Sequence, residues 1–318
     1  MRVLITGGLG YLGGRLANHF SNAGFSVLIG SRRKVPSPFW SPNSKILRME
    51  WTNENNLLEA CTNVDIVIHA AGMNAQACEV SPTEAAKFNG EASYRLAQAA
   101  TRAKVPAFVY LSTAHVYSSP LSGHITEATE VKNPHPYATS HLAGEVAVLG
   151  AVHKTQTAAT ILRLSNVFGL PMHSGVNCWD LLVNNLCKQA VLTGEIVIKS
   201  DANQGRDFIT ISDTCNVIGS IASAVFLKDT PKIINVGNGL SSSLADMAKL
   251  VQERCNLVLG FEPPIKTMIN ASGPPKPFEF QTLHSIFLAG LMNKDYEGEI
   301  DELLEYCKNN LTEKWTNR

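Results

Sequence analysis

No two of the seven cysteines, Cys61, Cys78, Cys178, Cys187, Cys215, Cys255 and Cys307, stand at C-x-x-C spacing, and their number is odd. That pattern argues against a disulfide framework, and no His/Cys cluster has the spacing of zinc ligands. Buried, reduced thiols and no bound metal are the expectation. Long apolar runs are lacking too, because charged residues interrupt every stretch that approaches the ~20 residues of a membrane span. A membrane is therefore not an expected partner. The first strand pattern begins at Val3, with no charged segment and apolar core ahead of it, so a cytoplasmic location is expected. Basic excess is also missing, since 27 Lys+Arg balance 27 Asp+Glu. A balanced chain cannot neutralise many backbone phosphates, which makes nucleic acid an unexpected partner and leaves a small phosphorylated ligand open. Internal repeats and low-complexity tails are absent.

What the chain does have is alternation. Apolar strand-like runs recur at residues 3–5, 27–29, 45–48, 65–69, 108–111 and 160–164. Between them, residues 11–23, 54–60, 84–103 and 137–153 carry apolar side chains at three- and four-residue spacing. Strands alternating with amphipathic helices predict an α/β fold with a doubly wound parallel sheet and right-handed crossovers. Past residue 165 the alternation decays, with further strands expected at 195–198, 208–211 and 233–236. Residues 262–277 hold five prolines and read as an extended crossing segment, and 299–308 as an acidic amphipathic helix. The 318 residues thus divide into a nucleotide-binding body over 1–165, to which the chain returns around 206–237, and a smaller substrate lobe over 166–318.

Directly after the first strand comes Thr6-Gly7-Gly8-Leu9-Gly10-Tyr11-Leu12-Gly13, opening a helix. Gly7 permits a tight strand-to-helix turn, Gly10 lets a pyrophosphate approach the backbone, and Gly13 lets the helix lie close on the sheet. Gly7, Gly10, Tyr11, Leu12 and Gly13 are therefore candidate dinucleotide contacts in a Rossmann-type body. A P-loop is excluded because no G-K-[ST] follows. The second strand ends Ile29-Gly30-Ser31-Arg32-Arg33, where an NAD-preferring site usually places a carboxylate on the adenosine ribose. With that carboxylate missing, Ser31 and the forked guanidinium of Arg32 suit a 2′-phosphate, and NADP(H) is favoured over NAD(H). A solvated turn is the other reading of Arg32 and Arg33.

The fifth strand runs into Leu111-Ser112-Thr113-Ala114-His115-Val116-Tyr117, and Pro136-Tyr137-Ala138-Thr139-Ser140-His141 opens the next long helix. Taken with the glycine loop, His69-Ala70-Ala71-Gly72, Leu162–Gly169, Arg206-Asp207-Phe208-Ile209 and Asn235–Gly239, these motifs resemble the extended short-chain dehydrogenase/reductases of the nucleotide-sugar epimerase/dehydratase branch. The resemblance covers most of the chain. It implies hydride transfer at a carbon of a nucleotide-activated sugar, as a 4-epimerase or a 4-keto reductase, with Tyr137 as proton carrier and Thr113 orienting the reacting oxygen. It further implies cofactor contacts from Glu50 and Trp51 at the adenine, from Ala70 and Ala71, and from Asn89, with Asn166, Asn177 and Arg206 on the nucleotide-sugar side. A homodimer through the helices over 84–103 and 137–153, and work in polysaccharide biosynthesis, are implied in the same way.

Two positions depart from that family. Where its members carry Lys four residues after the tyrosine, this chain has His141, which spacing still places beside Tyr137. An imidazole can anchor a ribose hydroxyl but is fully charged only when protonated. A working variant, a slow enzyme with unusual pH dependence, and a catalytically impaired dinucleotide- or sugar-nucleotide-binding protein all remain open on this evidence. The acidic pair that follows the threonine in 4,6-dehydratases is replaced by Ala114-His115, which disfavours dehydration. A steroid- or flavonoid-type reductase would share the first half of the chain, but Arg206–Ile209 argues against it.

Overall fold

The computed structural model describes residues 1–224, 230–269 and 278–311. Seven parallel strands form its main sheet in the order Ile233–Val236, Ala158–Leu164, Ala107–Thr113, Ile66–His69, Arg2–Thr6, Ser26–Ser31 and Ser44–Arg48. Helices cover both faces, so the central strands are apolar throughout: Val3, Leu4 and Ile5 are all fully buried. On one face, helices Tyr11–Asn22 and Ile211–Ala224 close a core that includes Leu16, Phe20, Ile218 and Ile221. On the other, helices Glu54–Cys61, Ser93–Arg102 and Pro136–Val152 bury Leu57, Leu96 and Val148. Strand order reverses between Arg2–Thr6 and Ile66–His69, and this switch point opens a crevice at the strands' carboxyl ends.

A second apolar cluster lies among helices Leu182–Thr193, Leu244–Leu259 and Tyr296–Leu311, with Phe168, Leu186, Met247 and Leu303 in its centre. The strand expected over 208–211 is present as Gly205–Thr210, but it pairs with Asn166–Phe168 and Ser241–Ser243 rather than with the large sheet. The chain's return to the large sheet is made instead by Ile233–Val236, preceded by helix Ile211–Ala224. The helices over 182–193 and 244–259 were not foreseen, although Ser243 and Asp246 form a reciprocal capping box and Gly260 ends the second helix at φ +79°. From the proline-bearing stretch, Ile265–Thr267 pairs with Ile196–Ile198, while residues 270–277, including Lys276, lie outside the described residues. All seven cysteines are buried and unpaired. No described helix is long and apolar enough to cross a membrane.

The helix expected over 84–103 is a composite. Residues Pro82–Ala85 are α-helical, Ala86–Ala92 form a π-helical turn, and Ser93–Arg102 resume the α-helix. Asn89, Gly90, Ala92 and Ser93 are buried on the inner face of this stretch, and Glu91 between them is exposed.

Candidate active site

The glycine loop has the mechanics its spacing predicts. Gly7 sits at φ +65°, and a side chain there would meet the backbone of Ala70 and Ala71 at 2.9 Å. A side chain at Gly13 would fall on the Gly7 carbonyl, so only glycine lets the first helix lie this close. A side chain at Gly10 would touch the Gly7 carbonyl at 3.0 Å and nothing else within 4 Å, which leaves the loop open on its outer side.

That outer side is the floor of a cavity of about 800 Å³. Gly7, Gly10, Tyr11, Leu12 and Gly13 line it at one wall, Ser31, Arg32 and Trp51 at another. Ala70, Ala71, Tyr137 and His141 complete it. Two expected contacts lie elsewhere. Glu50 pairs its carboxylate with Arg48 at 3.5 Å. Asn89 is a buried scaffold: it accepts from the Met73 amide at 2.9 Å and donates to Ser140 Oγ at 3.0 Å. Phe88, which sequence reasoning missed, fills a gap between two foreseen residues, since the Arg32 guanidinium lies 5.8 Å from its ring and Trp51 meets it edge-on at 5.3 Å. The Trp51 indole N–H is buried without a partner. A nicotinamide dinucleotide fits this set: an open glycine floor, a buried donor awaiting an acceptor, and a guanidinium at the same end.

At the far end Tyr137 and His141 sit one helical turn apart, their rings edge-on at 4.6 Å. Thr113 and Tyr137 line the same cavity, and Thr113 Oγ1 caps the next turn by accepting from the His115 amide at 3.2 Å. Burial pushes the Tyr137 phenol above its ordinary value, and the opposing influence of nearby Thr113 does not cancel that rise. Burial takes the His141 imidazole down to about 4, so at neutral pH it is uncharged. The site therefore holds no cation in the place of the family's lysine.

A second cavity, of about 440 Å³, meets the first at Tyr137. Thr113, His115, His135 and Asn166 line it, and burial brings His115 to about 4. Asn166 donates to the Asp207 carbonyl at 2.8 Å. Asn177 lies on the wall of the larger cavity instead. Arg206 lines neither; it is half-buried, reaches Gln204 Oε1 at 3.4 Å and acts electrostatically on His115. A salt bridge does not account for the Arg206-Asp207 pair, because the Asp207 carboxylate accepts from the amides of Asn238 at 2.9 Å and Gly239 at 2.7 Å.

Buried imidazoles have a measurable consequence. His69, held near 3, and His115 and His141, held near 4, are neutral in the fold and bind protons from about pH 6.5 downward only when the chain unfolds. Depressed values give stability that is complete above pH 6.5 and is lost as pH falls toward 4. Asp207, raised to about 6, opposes this by binding a proton in the folded state first. The net expectation, about two more protons bound by the unfolded chain, is a fall on the order of 2–3 kcal/mol per pH unit between pH 6 and 5. Urea unfolding at pH 7, 6 and 5 checks it; equal stabilities at all three would show these imidazoles to be solvated.

A doubly wound body with Thr113 and Tyr137 at the edge where its two cavities meet has the layout of the extended short-chain dehydrogenase/reductase class. Within it, the chain belongs to the NAD dependent epimerase/dehydratase family, whose model matches residues 3–237. It is 28% identical to the UDP-glucose 4-epimerase of Haemophilus influenzae, over 82% of this chain and 85% of that one. A dTDP-6-deoxy-L-talose 4-dehydrogenase (NAD(P)(+)) of Kitasatospora kifunensis is 26% identical over 79% and 78%. The fold is shared with the structure of MoeE5 in complex with UDP-glucose and NAD, at TM-score 0.80 and 22% identity over 98% of this chain and 100% of that one.

Proposed function

We propose that this chain is an NAD(P)-dependent enzyme that moves a hydride at C4 of a nucleotide-activated sugar, in the cytoplasm and for polysaccharide biosynthesis. The observation that carries this reading is that Thr113 and Tyr137 line one cavity together, with Tyr137 at its junction with the larger cavity. It also weighs against a chain that only binds. The nicotinamide, when bound, supplies or accepts the hydride. Thr113 then orients the reacting sugar oxygen and Tyr137 exchanges its proton, with His141 as a neutral anchor for the ribose. A phenol raised above 10 is in the correct form to protonate a ketone oxygen, which favours reduction of a 4-keto sugar. Epimerisation is the second reading, supported by the epimerases among the relatives. Steady NADPH consumption with a panel of 4-keto sugar nucleotides supports the reductase; NAD(H) retained through purification, with no net consumption, supports the epimerase; neither result sinks both.

The cofactor reading is NADP(H) in preference to NAD(H). Ser31 and Arg32 stand where a ribose carboxylate is missing, and both line the cavity. Arg32→Ala is expected to weaken NADPH binding ~10-fold or more, as one charge-assisted phosphate contact is worth ~1.5–3 kcal/mol, and to leave NADH unchanged. Fluorescence titration checks it, and equal loss for both cofactors would reassign Arg32 to the Phe88 stack.

The division into a dinucleotide body over 1–165 and a substrate lobe over 166–318 is proposed from the two apolar clusters. So is a homodimer: helices Ser93–Arg102 and Pro136–Val152 present exposed Tyr94 and Val146 beside a groove lined by Gly90 and Ala143.

A further inference from the structure

Beside His141 runs a buried hydrogen-bonded chain that joins strands Arg2–Thr6 and Ile66–His69 to the π turn, and the chain has a direction. Ser93 Oγ donates to the Asn89 carbonyl at 2.6 Å, so its proton is committed. Towards His69 it can only accept, which puts a proton on His69 Nε2, 2.9 Å away. His69 Nδ1 is then an acceptor, and the Thr6 hydroxyl 2.6 Å away donates to it while accepting from the Ala71 amide at 3.3 Å. Tyr110 stands between this chain and the site. Its hydroxyl is buried, and among the described residues its hydrogen-bond partner is His141 Nδ1, 3.3 Å away. Room for it exists only because residue 144 is glycine: a side chain there would collide with the Tyr110 hydroxyl. The opposite edge of the His141 ring, Cε1 and Nε2, lies toward Gly72 on the cavity wall.

A buried phenol O–H must find an acceptor, and among the described residues His141 Nδ1 is the one within hydrogen-bond reach of the Tyr110 hydroxyl. We propose that Tyr110 is a positioning residue that sets the tautomer of His141, keeping Nδ1 as acceptor so that Nε2–H faces the dinucleotide as a fixed donor. This rests on the reading of His141 as the ribose anchor. Asn89 supports the geometry from the other side, since it holds both the Met73 backbone and Ser140, the neighbour of His141. In this arrangement a neutral ring with one directed N–H takes the place of an ammonium. What is lost is the charge, and what is kept is the donor.

The first test needs no substrate. In the purified full-length chain with 15N-labelled histidine, two-bond 15N–1H correlation at pH 7 reads the tautomer of each neutral ring. His141 is expected as Nε2–H in wild type, and in Tyr110→Phe as a mixture with the Nδ1–H form. The second test is a KM-against-kcat split: Tyr110→Phe should raise KM for NADPH 5- to 20-fold with kcat changed less than 3-fold, because the anchor acts on bound cofactor before and during reaction alike. A purely structural role for Tyr110 would lower melting temperature and kcat without moving the tautomer. Nδ1–H in wild type, or an unchanged tautomer and KM in Tyr110→Phe, overturns the inference. Should Tyr110→Phe not fold, the wild-type tautomer decides alone. A wild-type chain that binds no dinucleotide but shows Nε2–H refutes the functional reading and leaves the tautomer assignment standing, so the two failures are separable.

Discussion

Tyr137→Phe should lower kcat by ~10²–10⁴, the range that one positioned proton carrier contributes, while NADPH binding stays within about twofold. The ring that meets His141 edge-on is retained in phenylalanine, so the wall of the larger cavity is unchanged; only the hydroxyl is removed. The pH dependence follows from the same environment. Burial raises the phenol and no cation offsets it, His141 being neutral. The protonated form needed to complete a ketone reduction is therefore present throughout the neutral range, and the reductive rate should be flat from pH 6.5 to 9. The phenolate needed for the reverse oxidation is scarce, so that rate should climb about tenfold per pH unit over the same interval. Steady-state rates in both directions, with substrate saturating, test this. A Tyr137→Phe variant keeping more than a tenth of wild-type kcat would remove the phenol from the reaction, and an oxidative rate that levels off below pH 8 would mean that some group lowers its pKa.

Much of this site was readable before any coordinates because its chemistry is carried by backbone geometry and short-range spacing. Gly7 at φ +65° and Gly13 against the Gly7 carbonyl are consequences of one strand-to-helix turn, which eight consecutive residues define. Tyr137 and His141 are neighbours because a helix repeats every 3.6 residues. What could not be read depends on the tertiary surroundings. The pair of readings for His141, charged or neutral, was open until its burial was known. The π turn at Ala86–Ala92 has no distinct periodic signature, and with it went the positions of Phe88, Asn89 and Ser93. Asn177 and Arg206 sit in loops and short strands past residue 165, where no local pattern says which cavity a side chain will reach. Tyr110 reads as an ordinary core aromatic on a fully buried strand. Only the missing side chain at Gly144, far along the chain, shows that its hydroxyl has a place prepared for it.

The helix that carries Tyr137 is anchored by a buried ion pair, and breaking one side of it should be the most damaging single change to stability. Glu145 accepts from Arg163 Nε at 3.0 Å and Nη2 at 2.6 Å, and from the Ser112 hydroxyl at 2.5 Å. Arg163 Nη1 donates to the Tyr117 hydroxyl at 2.9 Å, which donates in turn to Asn235 Oδ1 at 2.8 Å. Both charged side chains are at most 5% exposed. The network joins Pro136–Val152 to strands Ala107–Thr113, Ala158–Leu164 and Ile233–Val236 across the sheet. Glu145→Leu leaves a buried guanidinium without its counter-charge and should cost about 3–5 kcal/mol, as should Arg163→Met in the opposite sense. In the double variant no charge is stranded, so its cost should fall short of the sum by ~0.5–3 kcal/mol. It should not vanish, since Ser112 and Tyr117 then lose partners worth ~1 kcal/mol each. Urea unfolding of the four proteins supplies the cycle. Strict additivity would show that the two side chains do not interact energetically despite their geometry. A double variant as stable as wild type would show that Ser112 and Tyr117 find other partners once the charges are gone. Activity discriminates further: if this network fixes the height of the helix over the cavity, kcat of the double variant should fall even where stability has been regained, because Tyr137 and Thr113 come from the helix and the strand that Glu145 and Ser112 join.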